Sequence, residues 1–436
     1  MGEKVTLRDY EQDLFDQIIK TPETNIMVQL EAGAGKTYVE LYLAEYLVKH
    51  GYKVAICTPW TLIRDQIREK SWLDPEQVEI VSARILLNQG DDLPNYDYLI
   101  FDEAHHSVAG TYTKLYKKLP NTYRIGFTAT PMRNDKKSLG DYYDRLIESP
   151  ITTRELIKRG YLAKFKYYAP DIDPDLSNGF NKDEHGNYGI DHTVYGSIVQ
   201  NWKQYGGNRQ TIVFAPTIET SNWLAKKFNQ AGVPAKSISS YDNANTINSI
   251  NAFRNKEIKV ICNYDIISEG FDMADCDCVV LTYQTGSYLK FYQRVYRALR
   301  KSNNGWSVVI DHGNNFMIHG RIDDRRDFTL STEPENDRDR AKHSPMVDAG
   351  YTEWAFEYQD QVELKELYRV GQEMDDQERQ KYQAMIDHAN ELHNLEGLKI
   401  LFQVQHDLNI NSRSNVAWAW DYALKHGYEV EVNGVN

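Results

Sequence analysis

Short apolar runs alternate with amphipathic stretches through the first three quarters of the chain, the pattern of a largely parallel sheet covered by helices. Ile26–Leu30 reads as a strand and Thr37–His50 as a helix closed by Gly51. Further strand-like runs fall at Val54–Cys57, Val78–Val81, Tyr98–Phe101 and Arg124–Phe127. The stretch Asp171–Tyr188, rich in Asp, Asn, Gly and Pro, reads as a loop or insertion. A second alternating series follows it. Thr211–Phe214, Ile258–Cys262, Cys278–Leu281 and Ser307–Ile310 are its strands, and Glu219–Gln230 and Tyr288–Arg300 its helices. After Gly320 the period changes: Ser331–Ser344 is polar and charged, and Gln361–Tyr382, His388–Val404 and Asn415–His426 read as helices. Trp418 and Tyr422 share a face of the last one, as core residues do. The expected division is an α/β domain over 1–155, a second over 156–320, a linker over 321–345 and a mainly helical domain over 346–436.

Charge adds a contrast along this frame. The net charge is −13, but residues 321–436 hold 13 Lys and Arg against 24 Asp and Glu, leaving the preceding part at −2. A nucleic acid would therefore meet a local groove in the first part, while the tail would repel phosphate. No apolar run approaches the roughly 18 residues that span a membrane. The N-terminal MGEKVTLRDYEQ is too charged for a secretory signal, so the expected location is cytoplasmic. Cys57, Cys262, Cys276 and Cys278 form no CxxC pair and read as buried reduced thiols, not as a zinc site or disulfide framework.

Two short segments at strand ends carry the chemistry. Glu31-Ala-Gly-Ala-Gly-Lys-Thr37 follows the first strand, and Asp102-Glu103-Ala104-His105 follows Tyr98–Phe101. A glycine loop ending in Gly-Lys-Thr cradles nucleotide phosphates with its backbone N–H groups. Its lysine, here Lys36, reaches the outer phosphates, and its hydroxyl, here Thr37, faces Mg²⁺. An Asp-Glu pair supplies one carboxylate for the metal and one to activate water. Together they point to an ATP hydrolysis site with Thr37 and Asp102 as the Mg²⁺ ligands.

The ordered motifs resemble those of superfamily 2 helicases and translocases with a DExH-type box, over about residues 7–320. Leu7-Arg-Asp-Tyr-Glu-Gln12 resembles the adenine-recognising Q motif, with the Gln one place late or replaced by Glu11, and either Arg8 or Gln12 as the adenine contact. Leu30 stands where a strict phosphate loop has its first glycine, a change this superfamily tolerates. Thr58-Pro-Trp-Thr-Leu-Ile-Arg-Asp-Gln66 is similar to motif Ia, which implies nucleic-acid contacts from Pro59, Trp60, Arg64 and Gln66. Thr128-Ala-Thr130, followed by Arg133, resembles motif III, with His105 as its partner in coupling ATP state to strand binding. Val213-Phe-Ala-Pro-Thr217 resembles motif IV. Asp265 and Ser268-Glu-Gly-Phe-Asp272 resemble motif V of the subunits related to type III restriction enzymes. The resemblance implies strand contacts from Arg133, Thr217 and Ser268, and nucleotide contacts from Gly270 and Asp272. Gln293-Arg-Val-Tyr-Arg-Ala-Leu-Arg300 resembles motif VI, QxxGRxxR, with Tyr296 in place of the glycine and Arg297 and Arg300 as arginine fingers.

The resemblance implies two tandem RecA-like domains with ATP between them. Gly33, Ala34, Gly35, Lys36 and Thr37 hold the phosphates, and catalysis falls to Lys36, Asp102, Glu103, Gln293, Arg297 and Arg300. Val309-Ile-Asp-His-Gly313 resembles the end of phage-encoded replication helicases, which implies a host-cytoplasmic setting. The expected partner is single-stranded or forked DNA, with RNA as the alternative and replication proteins as partners of the acidic C-terminal domain. Strand separation is the first expected output. A fork-remodelling duplex translocase and an ATP-gated clamp or replisome adaptor are the others.

Overall fold

In the computed structural model the described residues are 2–59, 61–133, 138–170, 194–195, 197–239, 243–264, 276–300, 305–330, 358–359, 364–370 and 388. The first lobe is a six-stranded, wholly parallel sheet. Its strands are β1 (Asn25–Gln29), β2 (Val54–Thr58), β3 (Val78–Ser82), β4 (Tyr98–Phe101), β5 (Tyr123–Thr128) and β6 (Arg145–Ile147), in spatial order β3-β2-β4-β5-β1-β6. Strand β2 is buried along its whole length, as helix-covered parallel strands must be, which is why it reads as a continuous apolar run.

The second lobe is built on β7 (Lys164–Pro170), β9 (Thr211–Phe214), β10 (Ala235–Ile238), β11 (Val260–Asn263), β12 (Cys278–Leu281) and β13 (Trp306–Asp311). A seventh strand, β15 (Leu364–Val370), closes the edge antiparallel to β7, giving the order β10-β11-β9-β12-β13-β7-β15. A two-residue pair, β8 (Val194–Tyr195) with β14 (Tyr358–Gln359), stands apart from both sheets. Both lobes are RecA-like α/β domains, the fold class expected.

Three particulars differ from the sequence reading. Leu364–Val370 is a strand where a helix over Gln361–Tyr382 was expected, because pairing with β7 satisfies a sheet edge that would otherwise expose unpaired backbone groups. Leu364 is fully buried there and its carbonyl accepts the Tyr205 hydroxyl at 2.7 Å. The helix expected over Tyr288–Arg300 ends at Tyr296, so Arg297 and Arg300 sit beyond its last turn. Strands β6, β7 and β10 and a helix over Asp9–Lys20 are elements that the sequence reading does not include. The expected loop Asp171–Tyr188 and linker Ser331–Ser344 lie outside the described residues, as do, His388 apart, the helices His388–Val404 and Asn415–His426.

Among the described residues, two chain segments cross between the lobes. A short helix, Thr153–Lys158, bridges from β6 to β7 and opens with a capping box in which Thr152 and Glu155 satisfy each other's backbone N–H groups. After β13 the chain turns back as a strap onto the first lobe. Arg154 on the bridging helix holds Asp323 at 2.6 Å, and Arg325 reaches Glu148 at 3.0 Å. The Leu330 carbonyl then accepts the Gly140 N–H at 2.8 Å.

Candidate active site

The site is assembled at the C-terminal ends of β1, β4 and β5, where open α/β sheets bind ligands. Because β5 lies between β1 and β4, the segment after β5 sits between the phosphate loop and the carboxylate pair.

The loop after β1 turns through two left-handed glycines, Gly33 at φ +78° and Gly35 at φ +95°, and delivers its chain into the helix Lys36–Lys49. Helix N-termini of this kind present free N–H groups to phosphate. A Cβ at Gly35 would stand 1.9 Å from Glu11 Oε1, and one at Gly33 would stand 2.8 Å from the Leu162 side chain. Both positions therefore favour glycine by backbone angle, and a Cβ at either would also displace a neighbouring side-chain tip.

Asp102 and Glu40 form the acidic floor. Glu40, one helical turn past Lys36, is fully buried, and neither of its carboxylate oxygens has a hydrogen-bond donor. Burial, reinforced by the neighbouring Asp102, raises its carboxyl well above the usual range. The Asp102 carboxyl is pushed up to about 6 by burial and then by Glu103, with Lys36 opposing. Asp102 Oδ1 accepts the Glu103 N–H at 2.9 Å, and Glu103 itself sits in the left-handed region at φ +48°. That turn is costly for a residue with a Cβ.

From Glu103 a polar path leads into the segment after β5. The buried His105 ring lies with Nδ1 3.5 Å from Glu103 Oε2 and 2.9 Å from Thr128 Oγ1. Thr128 Oγ1 in turn engages the Thr130 N–H and carbonyl, both at 3.2 Å. Arg133 Nη1 donates to the His105 carbonyl. The structure thus brings His105, Thr128 and Thr130 together and ties Arg133 to the same knot.

The helix Tyr288–Tyr296 of the second lobe packs directly onto the phosphate loop. Tyr292 donates its hydroxyl proton to Glu31 Oε2 at 2.6 Å, and Tyr296 reaches the same oxygen at 3.1 Å. Gln293 is half-buried on this helix, Arg297 is buried directly after it, and Arg300 is exposed. The arginine-bearing segment therefore starts at the phosphate loop of the opposite lobe.

At the other end of the site, Arg8 stacks on Tyr161, its guanidinium carbon 4.0 Å from the ring centre, and donates to the Tyr10 hydroxyl at 2.6 Å. Gln12 is directed elsewhere: its amide donates to Asp16 at 2.8 Å along the outside of its helix. Glu11 occupies the place over Gly35, with Oε2 accepting the Arg8 N–H at 2.8 Å and the buried Oε1 3.5 Å from Arg8 Nη1. One residue of helical rotation turns a side chain by 100°, which is why Glu11 faces inward and Gln12 outward.

Of the expected strand contacts, Pro59 and Gln66 are partly exposed, and Arg64 is engaged with Asp65 at 2.7 Å. Thr217 caps the helix Ile218–Gln230 by accepting the Thr220 N–H at 3.1 Å. Trp60, Ser268, Gly270 and Asp272 lie outside the described residues. Sequence spacing missed Glu40, Tyr161, Tyr292 and the inward face of Glu11. Tyr296 carried a signal, as the residue replacing the motif glycine, and Glu11 another, as a replacement for the motif Gln.

A phosphate loop and carboxylate pair on one lobe, with a helix of the second α/β lobe seated on that loop, define a two-lobed P-loop ATPase. Residues 4–84 and 77–133 match the family model of the type III restriction enzyme res subunit, and residues 196–302 match the helicase conserved C-terminal domain. The chain belongs to the superfamily 2 helicases, ATP-consuming helicases and translocases of nucleic acid. It is 31% identical to a 51.5 kDa protein of a Lactococcus phage (isolate 7-9), the match covering 69% of this chain and 68% of that protein. It is 22% identical to the DNA 3′-5′ translocase XPB2 of Sulfurisphaera tokodaii, over 69% of this chain and 80% of that one. Among solved structures, the DNA-bound type ISP restriction-modification enzyme LlaBIII shares the fold with a TM-score of 0.52 at 15% identity, covering 71% of this chain and 28% of that one. No helix among the described residues is long and apolar enough to cross a membrane.

The donor set suits Mg²⁺ bound with a nucleotide. No cluster of three His, Cys, Asp or Glu side chains converges among the described residues. Mg²⁺ in nucleotide sites takes only one or two protein ligands beside phosphates and waters, so Asp102 and Thr37 suffice. The buried Asp102 carboxyl, pushed up to about 6 by burial and by Glu103, is the acidic group that such a cation would hold ionised.

Proposed function

We propose that the protein is a DNA helicase that turns ATP hydrolysis into movement along one strand and separation of the duplex ahead, in phage-type DNA replication or recombination. The single observation that supports it most is the seat of the helix Tyr288–Tyr296 against the phosphate loop, because it brings the arginine-bearing lobe to the nucleotide. In this reading Gly33, Ala34, Gly35, Lys36 and Thr37 hold the phosphates, with Thr37 and Asp102 serving Mg²⁺. Bound Mg²⁺ would supply charge neutralisation at the outer phosphates. Glu103 orients the attacking water and takes its proton, and His105 holds that carboxylate in register with Thr128 and Thr130. Arg297 and Arg300 balance charge on the transferred phosphoryl, an effect worth roughly 10³–10⁵ in rate where such fingers operate.

Closure follows because the arginines gain a phosphate partner only when triphosphate is present. Hydrolysis removes that differential contact and the cleft reopens. Contacts from Pro59, Trp60, Arg64, Gln66, Arg133, Thr217 and Ser268 would fall on phosphates and sugars, so sequence preference should be small and affinity should fall steeply with salt. Arg8 and Tyr161 offer a stacking platform for the base, and Glu11 is the acceptor for its exocyclic amine.

The test is ATPase activity with single-stranded DNA, duplex DNA, forked DNA and RNA in parallel, with strand displacement from a labelled fork. Stimulation by single-stranded or forked DNA, with displaced product, is expected. Branch migration without displacement would make the protein a duplex translocase, and tight binding without hydrolysis a clamp. Full turnover by Lys36→Ala would refute the site itself.

A further inference from the structure

A polar knot joins three elements at the lobe interface. Glu31 Oε2, in the phosphate loop, receives the hydroxyl protons of Tyr292 at 2.6 Å and Tyr296 at 3.1 Å. Tyr292 also accepts the N–H of Ala32 at 3.0 Å, so it holds the loop backbone as well as the side chain. The Thr153 hydroxyl, on the bridging helix, lies 3.4 Å from the same Glu31 oxygen and contacts Tyr296. Both tyrosines are nearly sealed from solvent, at 3% and 5% exposure. Their rings stack on one another with centres 4.0 Å apart, as residues four apart on a helix can.

We propose that Glu31, Tyr292 and Tyr296 are positioning residues for ATP hydrolysis, pinning the arginine-bearing helix against the phosphate loop and so fixing where Arg297 and Arg300 stand over the outer phosphates. The proposal rests on the assignment above of those arginines to the phosphates. Tyr296 directly precedes Arg297, so a shift of its hydroxyl is passed on to the arginine within one residue. Two donors converging on one carboxylate oxygen define an angle as well as a distance, which one ion pair at a surface does not. The glycine that Tyr296 replaces has no side chain with which to make such a contact. Lys36 acts electrostatically on Glu31, which sets the pin beside the part of the loop that meets the outer phosphates. Misplacing a reacting group by about 1 Å costs on the order of 10² in rate.

Phenylalanine at 292 and 296 keeps the stacked rings and removes only the hydroxyls. The readouts are kcat and KM for ATP at saturating single-stranded DNA. Energy transfer between dyes on Lys49→Cys in the first lobe and Lys226→Cys in the second gives a third. The four native cysteines are buried, so the introduced thiols label selectively. The double variant Tyr292→Phe/Tyr296→Phe should lose about 10- to 100-fold in kcat with KM changed less than about 3-fold. It should also broaden the interlobe distances before nucleotide is added. Glu31→Ala, which removes the shared acceptor, should lose kcat similarly, and adding it to the double variant should cost less than about 2-fold more, because all three act as one unit. Unchanged kcat, a rise in KM alone, or losses that multiply would overturn the positioning role while leaving the ATPase intact. A wild-type protein that hydrolyses no ATP would overturn the reading of the site and this role with it. Thermal melts of each variant separate a loss of fold from a loss of register.

Discussion

Asp102→Asn should make the ligand-free protein more stable while abolishing its activity. The wild-type carboxyl is raised from 3.8 to about 6, by burial first and by Glu103 second. Holding it ionised at neutral pH therefore costs up to about 3 kcal/mol. Asparagine keeps an oxygen that can accept the Glu103 N–H, now 2.9 Å from Asp102 Oδ1, so the removed charge is the main change. The buried Glu40 next to it is relieved as well, since Asp102 is one of the groups raising its carboxyl. The sign of the pH dependence follows from the raised value. Stability from a carboxyl raised in the folded state is fully present below 3.8 and lost as pH climbs through about 6. The advantage of the variant should then be about 3 kcal/mol at pH 7.5, fall to roughly half at pH 5, and vanish below about pH 4. For a lobe of this size it corresponds to a rise in melting temperature of roughly 5–10 °C. Urea unfolding followed by tryptophan fluorescence at two pH values measures it. Mg²⁺ with a non-hydrolysable nucleotide should reverse the order, because only the wild type gains binding energy. A variant no more stable than the wild type at pH 7.5, or an advantage that does not narrow in acid, would refute the reasoning.

Other outcomes follow from the same geometry. Gly35→Ala should lose most nucleotide affinity, since the left-handed angle alone costs about 1–2 kcal/mol and the new Cβ meets the Glu11 carboxylate. Binding of a fluorescent ATP analogue measures the loss. Thr128→Val removes the hydroxyl shared by His105 and Thr130, so strands displaced per ATP should fall several-fold more than the ATPase rate itself. Tyr167→Phe deletes the 2.6 Å hydrogen bond to the buried Asp311 carboxylate. It should cost about 1–3 kcal/mol in urea unfolding, the penalty for a buried charged acceptor that loses a donor.

What could be read directly from the chain was whatever depends on neighbours in sequence. Buried strands such as Tyr98–Phe101, Thr211–Phe214 and Cys278–Leu281 appear in the structure at the limits their apolar runs mark, because a strand covered on both faces needs continuous hydrophobicity. The phosphate loop and the Asp102-Glu103 pair were legible for the same reason: a glycine's angle and a residue's offset from a strand end are local properties. Tertiary structure decided the rest. Leu364–Val370 has a helical period in sequence and became a strand because β7 offered it an unpaired edge. Glu11 and Gln12 are both plausible in a motif, and only packing over Gly35 distinguishes the one facing inward. Glu40 looked like one more charge on a helix until Asp102 was folded against it. The contacts from Tyr292 and Tyr296 to Glu31 join residues more than 260 positions apart, a separation across which no periodicity carries information. Local pattern sets angles and hydrophobic faces, whereas a buried charge or a contact between lobes exists only once distant segments share the same space.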